Sequence, residues 1–184
     1  MQQRLFALVI AILATVAGWL TTLTWADIGP AFDTPFQWNG FGTLTTDLDE
    51  GSTADLQATP LGMWVAVACL IALVAAVAMA VPTPALANPL RPIAAVATLI
   101  AAVIPIVVLL RPSTFLGGVF DAMGIGPILT DDHYADIVDE VLAQPTLIAL
   151  AVVLVVLAAV CVAAALAARP AKPAAAAEAA AAAE

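Results

Sequence analysis

The sequence predicts an all-α integral membrane protein with four spans, and three observations carry that expectation. Of its 184 residues, 64% are hydrophobic and only 10% charged, whereas a globular domain carries about 25% charged residues. Too little polar surface remains to clothe a water-soluble particle. The apolar residues also gather into four runs of about 20 residues, the helical length that crosses a hydrocarbon core about 30 Å thick. None of the runs alternates with period two, which argues against a transmembrane barrel. Backbone groups in lipid must be satisfied within the segment, which makes each run a helix. The same composition excludes a disordered chain. A net charge of −9, from 14 acids and 5 bases, excludes a nucleic-acid binder, because phosphate contacts need Lys and Arg.

The first run covers residues 5–24 and ends at Trp25, placed as an interfacial anchor. A cleaved signal peptide over residues 1–26 is the competing reading, with Arg4 as its basic end. The run is longer than the roughly 7–15 apolar residues of such a peptide, which favours a retained span. Loop 25–60 follows, and the second run is 61–81. Pro82, Pro84, Pro89 and Pro92 then predict a short non-helical hairpin, making the second and third runs antiparallel neighbours. The third run, 93–110, is the shortest and contains Pro105. Proline lacks an N–H and crowds the preceding turn, so a kink is expected there.

Loop 111–145 is better patterned than the first. Thr130 is placed to cap a helix whose first turn holds Asp131, Asp132 and His133, acids suited to a positive helix end. Tyr134, Ile137, Val138 and Val141 recur at helical spacing as an apolar stripe, with Asp132, Asp136, Asp139 and Glu140 largely opposite. An amphipathic helix along the outer surface is the expectation. The fourth run, 146–168, is the most uniformly apolar. Residues 1–168 thus form one four-helix membrane domain, and 169–184 an Ala-rich tail containing Glu178 and Glu184.

Orientation follows from the bases. Arg4, Arg91, Arg169 and Lys172 fall on one side of a four-span arrangement and Arg111 alone on the other, so both termini are expected in the cytoplasm of a bacterial cell. Two acidic loops then face outward. The runs themselves hold no Asp, Glu, Lys, Arg or His, and proton relays, ion pathways and voltage sensors need such groups. Haem between helices needs axial ligands, and the one histidine, His133, is outside the runs. No cofactor is expected. Cys69 and Cys161 lack His or carboxylate neighbours and read as small packing residues. The pairs Ala14/Gly18, Ala72/Ala76, Ala97/Ala101 and Ala159/Ala163 have the small-xxx-small spacing that lets membrane helices approach closely.

The outer loops supply the candidate sites. Asp132, His133 and Asp136 are candidate metal ligands, since i and i+4 oxygens share a helix face; the competing reading is a solvated acidic face. Residues 47–55 begin like a calcium loop but lack the Asp or Asn normally found before the glycine and the bidentate closing Glu. Candidate contact residues are Trp25, Phe36, Trp38 and Phe41 in the first loop. In the second they are Tyr134, Ile137, Val138 and Val141, together with Asp136, Asp139 and Glu140. Acidic loops attract a basic partner such as a periplasmic domain, and aromatics anchor protein contacts. Trp38-Asn39-Gly40-Phe41 has no Cys companion, unlike the first loop of claudin-type tetraspans.

The Ala/Val-rich spans, the Pro170-Ala171-Lys172-Pro173 segment and the spans marked by Gly18-Trp19 and Thr24-Trp25 resemble small four-span membrane proteins of actinobacteria. Two groups share the layout: accessory subunits of the cytochrome bcc–aa3 respiratory supercomplex, and the membrane proteins encoded beside tryptophan-biosynthesis genes. The resemblance implies an accessory role and no catalytic residue. The expected function is therefore a non-catalytic accessory or assembly subunit of a larger membrane complex. Its expected partners are membrane lipids and other membrane subunits, not nucleic acid. The alternatives are a membrane enzyme or metal-binding protein using Asp132, His133 and Asp136, and a lipid-binding or transport-accessory protein.

Overall fold

The computed structural model describes residues 2–29, 35–48, 53, 56–81, 84–124 and 140–168. Among them are four helices long and apolar enough to cross a membrane: α1 (Gln2–Leu20), α2 (Leu61–Ala80), α3 (Pro84–Leu110) and α5 (Gln144–Ala167). They are compatible with a multi-pass membrane protein. A shorter helix, α4 (Ser113–Ala122), lies between α3 and α5 in the chain. Between α1 and α2, strands β1 (Thr24–Asp27), β2 (Gln37–Asn39) and β3 (Leu44–Thr45) form an antiparallel sheet in that order.

The long helices pack in a ring: α1 on α2, α2 on α3, α3 on α5, and α5 back on α1. Each buries residues alternately three and four apart, the spacing that keeps one face of an α-helix on its neighbours. The buried seam is Ala7, Ile10, Ala14 and Ala17 on α1, and Gly62, Val65, Cys69, Ala72, Ala76 and Met79 on α2. On α3 it is Ala87, Arg91, Ala94, Thr98, Ala101, Pro105 and Val108. On α5 it is Leu147, Leu150, Leu154, Leu157, Cys161 and Ala164. Small residues on α1, α2 and α3 bring backbones close, and the four buried leucines of α5 fill the space that remains. The Thr98 hydroxyl is satisfied within its own helix, donating to the Ala94 carbonyl at 2.8 Å.

Side-chain shape, not hydropathy, sorts the faces of α5. Leu147, Leu150, Leu154 and Leu157 point inward, while Val152, Val155, Val156 and Val162, with Leu166 near the helix end, are exposed. Lipid accepts any apolar residue, so the inner face is chosen by how well a side chain fills the gap between helices.

Three expectations need correction. Pro84, Pro89 and Pro92 do not belong to a short non-helical hairpin preceding a helix at 93: α3 starts at Pro84 and runs through Pro89, Pro92 and Pro105. A proline opening a helix costs no hydrogen bond. Pro89 and Pro92 are exposed, and the carbonyls they free lie in the first turns. As a result Arg91, expected in a loop, sits on the buried seam of a helix. Secondly, the segment after α1 is not a plain acidic loop but carries a sheet. Thirdly, the second loop contains α4, which buries Phe115, Leu116, Val119 and Phe120. The amphipathic helix expected from Thr130 falls almost wholly outside the described residues. Of it, Glu140 is exposed and Val141 half-buried.

Candidate functional site

Two places in the molecule gather distinctive side chains, one at each end of the helix ring. The first is a cap built on the sheet. Pairing of β1 with β2 is irregular between Thr24 and Ala26, and this bulge lets two successive residues, Trp25 and Ala26, both turn inward. Trp25 packs on Phe115 of α4 with ring centroids 5.5 Å apart, and Phe36 stacks on Trp38 at 6.3 Å. Both buried indoles find acceptors: Trp25 Nε1 donates to the Leu20 carbonyl at 3.3 Å and Trp38 Nε1 to that of Leu56 at 2.8 Å.

Backbone hydrogen bonds tie this cap to the helices. Gly40 N–H donates to Thr21 O at 3.0 Å, and Gly62 N–H, in the first turn of α2, to Gly40 O at 2.7 Å. Thr59 N–H reaches Phe115 O at 3.0 Å, and Ala143 N–H reaches Trp25 O at 2.9 Å, beside a bridge between Ala26 and Leu142. The approach requires glycine: a Cβ on Gly40 would lie 2.6 Å from the Trp25 ring, and one on Gly62 at 2.6 Å from the Gly40 carbonyl oxygen. The Asn39 side chain closes the β2–β3 turn by accepting from Phe41 N and Thr43 N. Gly42 follows at φ 76°, a conformation side chains rarely adopt.

The candidate contact residues divide accordingly. Trp25 and Trp38 are fully buried and Phe36 is 7% exposed, so their surface is spent inside the chain; Phe41, 37% exposed, is the aromatic of this set at the surface. Asp27 is also engaged, accepting from Gly29 N–H and from Gln37 Nε2. Tyr134, Asp136, Ile137, Val138 and Asp139 lie outside the described residues, as do the metal candidates Asp132, His133 and Asp136. Among the described residues no three His, Cys, Asp or Glu side chains gather as a metal site. Cys69 and Cys161 are buried and free.

The second place lies at the opposite end, where a cavity of about 80 Å³ opens among Gln2, Gln3 and Phe6 of α1, Met79 of α2, Arg91 of α3, and Ala164, Ala167 and Ala168 at the close of α5. The lining comes from the starts of α1 and α3 and the ends of α2 and α5, so neighbouring helices alternate in direction. Arg91 is only 6% exposed, and its Nε is buried without a hydrogen-bond partner. The other described bases, Arg4 and Arg111, are exposed. The described acids Asp27, Asp47, Asp121 and Glu140 all belong to the cap end. Sequence reasoning missed this residue because the prolines on either side read as a loop; the seam spacing from Ala87 through Ala94 to Ala101 was the available signal.

Two apolar grooves run from the same end along the outside of the ring. One, of about 380 Å³, lies between α1 and α2 and is headed by Arg4. The other, of about 520 Å³, lies between α2 and α3 and is lined by Leu73, Val77, Leu86 and Leu90 among others. Comparison with known proteins finds no matching family model, no similar curated protein and no similar solved structure.

Proposed function

We propose that this chain is a non-catalytic accessory or assembly subunit of a larger bacterial membrane complex, embedded as a four-helix bundle with both termini in the cytoplasm. The observation that supports this reading best is the outward face of α5. Ile148, Val152, Val155, Val162 and Leu166 are exposed along it, and Ala159 and Ala163, also exposed, lie in its C-terminal half. Two alanines amid larger residues form a shallow notch into which another helix packs closely, the arrangement by which membrane helices associate. Of the other small-residue pairs, Ala72 and Ala76 are buried inside the ring and Ala14 and Ala101 face it; those serve folding instead of docking. Exposed Glu140 and Asp121 at the cap end orient a basic partner domain without supplying most of the affinity. Co-migration with partner subunits in mild detergent tests the reading.

The orientation rests on Arg4 and Arg91 sharing one end of the ring, with Arg169 and Lys172 following α5 in the sequence. Single cysteines introduced at Gln2, Asp47 and Ala122, all exposed, check it once Cys69 and Cys161 are replaced by alanine. In intact cells an impermeant maleimide is expected to label positions 47 and 122 and to spare position 2. Labelling at position 2 in intact cells contradicts the topology.

A further inference from the structure

We propose that the cavity around Arg91 is a binding site for the phosphate group of an anionic phospholipid. A guanidinium stays cationic in proteins and offers five N–H donors in one plane, a geometry suited to phosphate oxygens. Buried charges are found paired, because the low-dielectric interior penalises a lone ion. Here Arg91 as a whole is 6% exposed and its Nε is buried and unpartnered. No acid among the described residues lies at this end.

The surroundings complete the anion site. The first residues of α1, a helix of 19 residues, line the same cavity, and a helix N-terminus presents free N–H groups and a positive dipole end. Gln2 and Gln3 add side-chain amides. At about 80 Å³ the cavity has room for several water-sized groups, the scale of a phosphate's oxygens. The rest of the ligand must extend beyond the cavity.

The two apolar grooves give it somewhere to go. Both reach this end of the ring, one between α1 and α2 headed by Arg4 and one between α2 and α3 ending at Leu90, the neighbour of Arg91. A phosphate held at Arg91 with acyl chains laid along these grooves satisfies charge and apolar surface together. Basic pockets between helices on the cytoplasmic side bind anionic headgroups in this way. Free phosphate shares the headgroup's chemistry but has no use for the grooves.

Native mass spectrometry of the full chain released from mild detergent tests the proposal, with phosphatidylglycerol, phosphatidylcholine and inorganic phosphate as probes. The wild type is expected to retain one phosphatidylglycerol in preference to phosphatidylcholine. Arg91→Gln should weaken that retention at least tenfold, and Arg91→Lys by less. Should Arg91→Gln fail to fold, Gln3→Glu gives the same reading: a carboxylate at the cavity rim supplies an internal counter-ion, raises thermal stability and evicts the lipid. The proposal is overturned if both lipids are retained equally or if neither Arg91→Gln nor Gln3→Glu changes retention. It is also overturned if inorganic phosphate displaces the lipid at equal concentration.

Discussion

Replacing Trp25 with alanine is expected to open the cap, at a cost of about 3–5 kcal/mol, the range for removing a fully buried tryptophan. The indole is completely buried, rests against Phe115, donates to the Leu20 carbonyl and lies over Gly40. Removing it leaves a void at the point where α1, the sheet, α4 and the approach to α5 meet. The readout is labelling of a cysteine placed at Ala58, which is 4% exposed under the closed cap. It should stay protected in the parent and react rapidly in Trp25→Ala. Trp64→Ala removes an indole that is 63% exposed on α2, and a surface change of this kind shifts stability by less than about 0.5 kcal/mol. Equal labelling in the two variants contradicts the role given to the cap.

The second large effect is expected within the ring. Leu154 and Val155 are adjacent on α5, yet the first is fully buried and the second 51% exposed. Leu154→Ala leaves a cavity against the facing helices, costing about 2–5 kcal/mol in a packed core. Val155→Ala removes two methyl groups from an outward surface and should cost little. The contrast is informative because the loss comes from helix-to-helix contact; lipid is as apolar as the side chain removed. Thermal unfolding in mild detergent should show a marked fall in midpoint for Leu154→Ala alone. Similar midpoints would mean that the seam assigned to α5 is not the packed face.

Much of the helical architecture was legible because lipid imposes a simple rule: long apolar runs form helices. Runs at 61–81 and 146–168 correspond within two residues to α2 and α5. The rule fails where it depends on local punctuation. Pro89 and Pro92 read as breakers, but they stand near the start of the helix, where the hydrogen bonds they remove belong to the first turns. That misreading hid Arg91. The sheet was hidden for another reason. Asn39-Gly40 between Trp38 and Leu44 is a hairpin signal, yet the strands span only two to four residues, too short for alternation to stand out. Their stability comes from Trp25 and Trp38 meeting Phe115 and Leu56, contacts between distant segments that no local pattern reveals. Within the uniformly apolar helices the inner face is set by side-chain shape, small residues along α2 and Leu147, Leu150, Leu154 and Leu157 along α5, a distinction that hydropathy does not register.

On the function proposed above, the outward face of α5 seats this chain in a larger membrane assembly. The most direct measurement compares, in native membranes solubilised with mild detergent, the migration of the wild type, Ala159→Leu and a variant with Asp132, Asp136, Asp139 and Glu140 all neutralised. The wild type is expected to migrate in stoichiometric association with larger subunits. Ala159→Leu, which fills the notch without touching the ring's interior, should release a folded monomer. The loop variant should remain bound, with altered partner choice at most. A wild type that migrates alone, or release by the loop variant while Ala159→Leu stays bound, would contradict the claim.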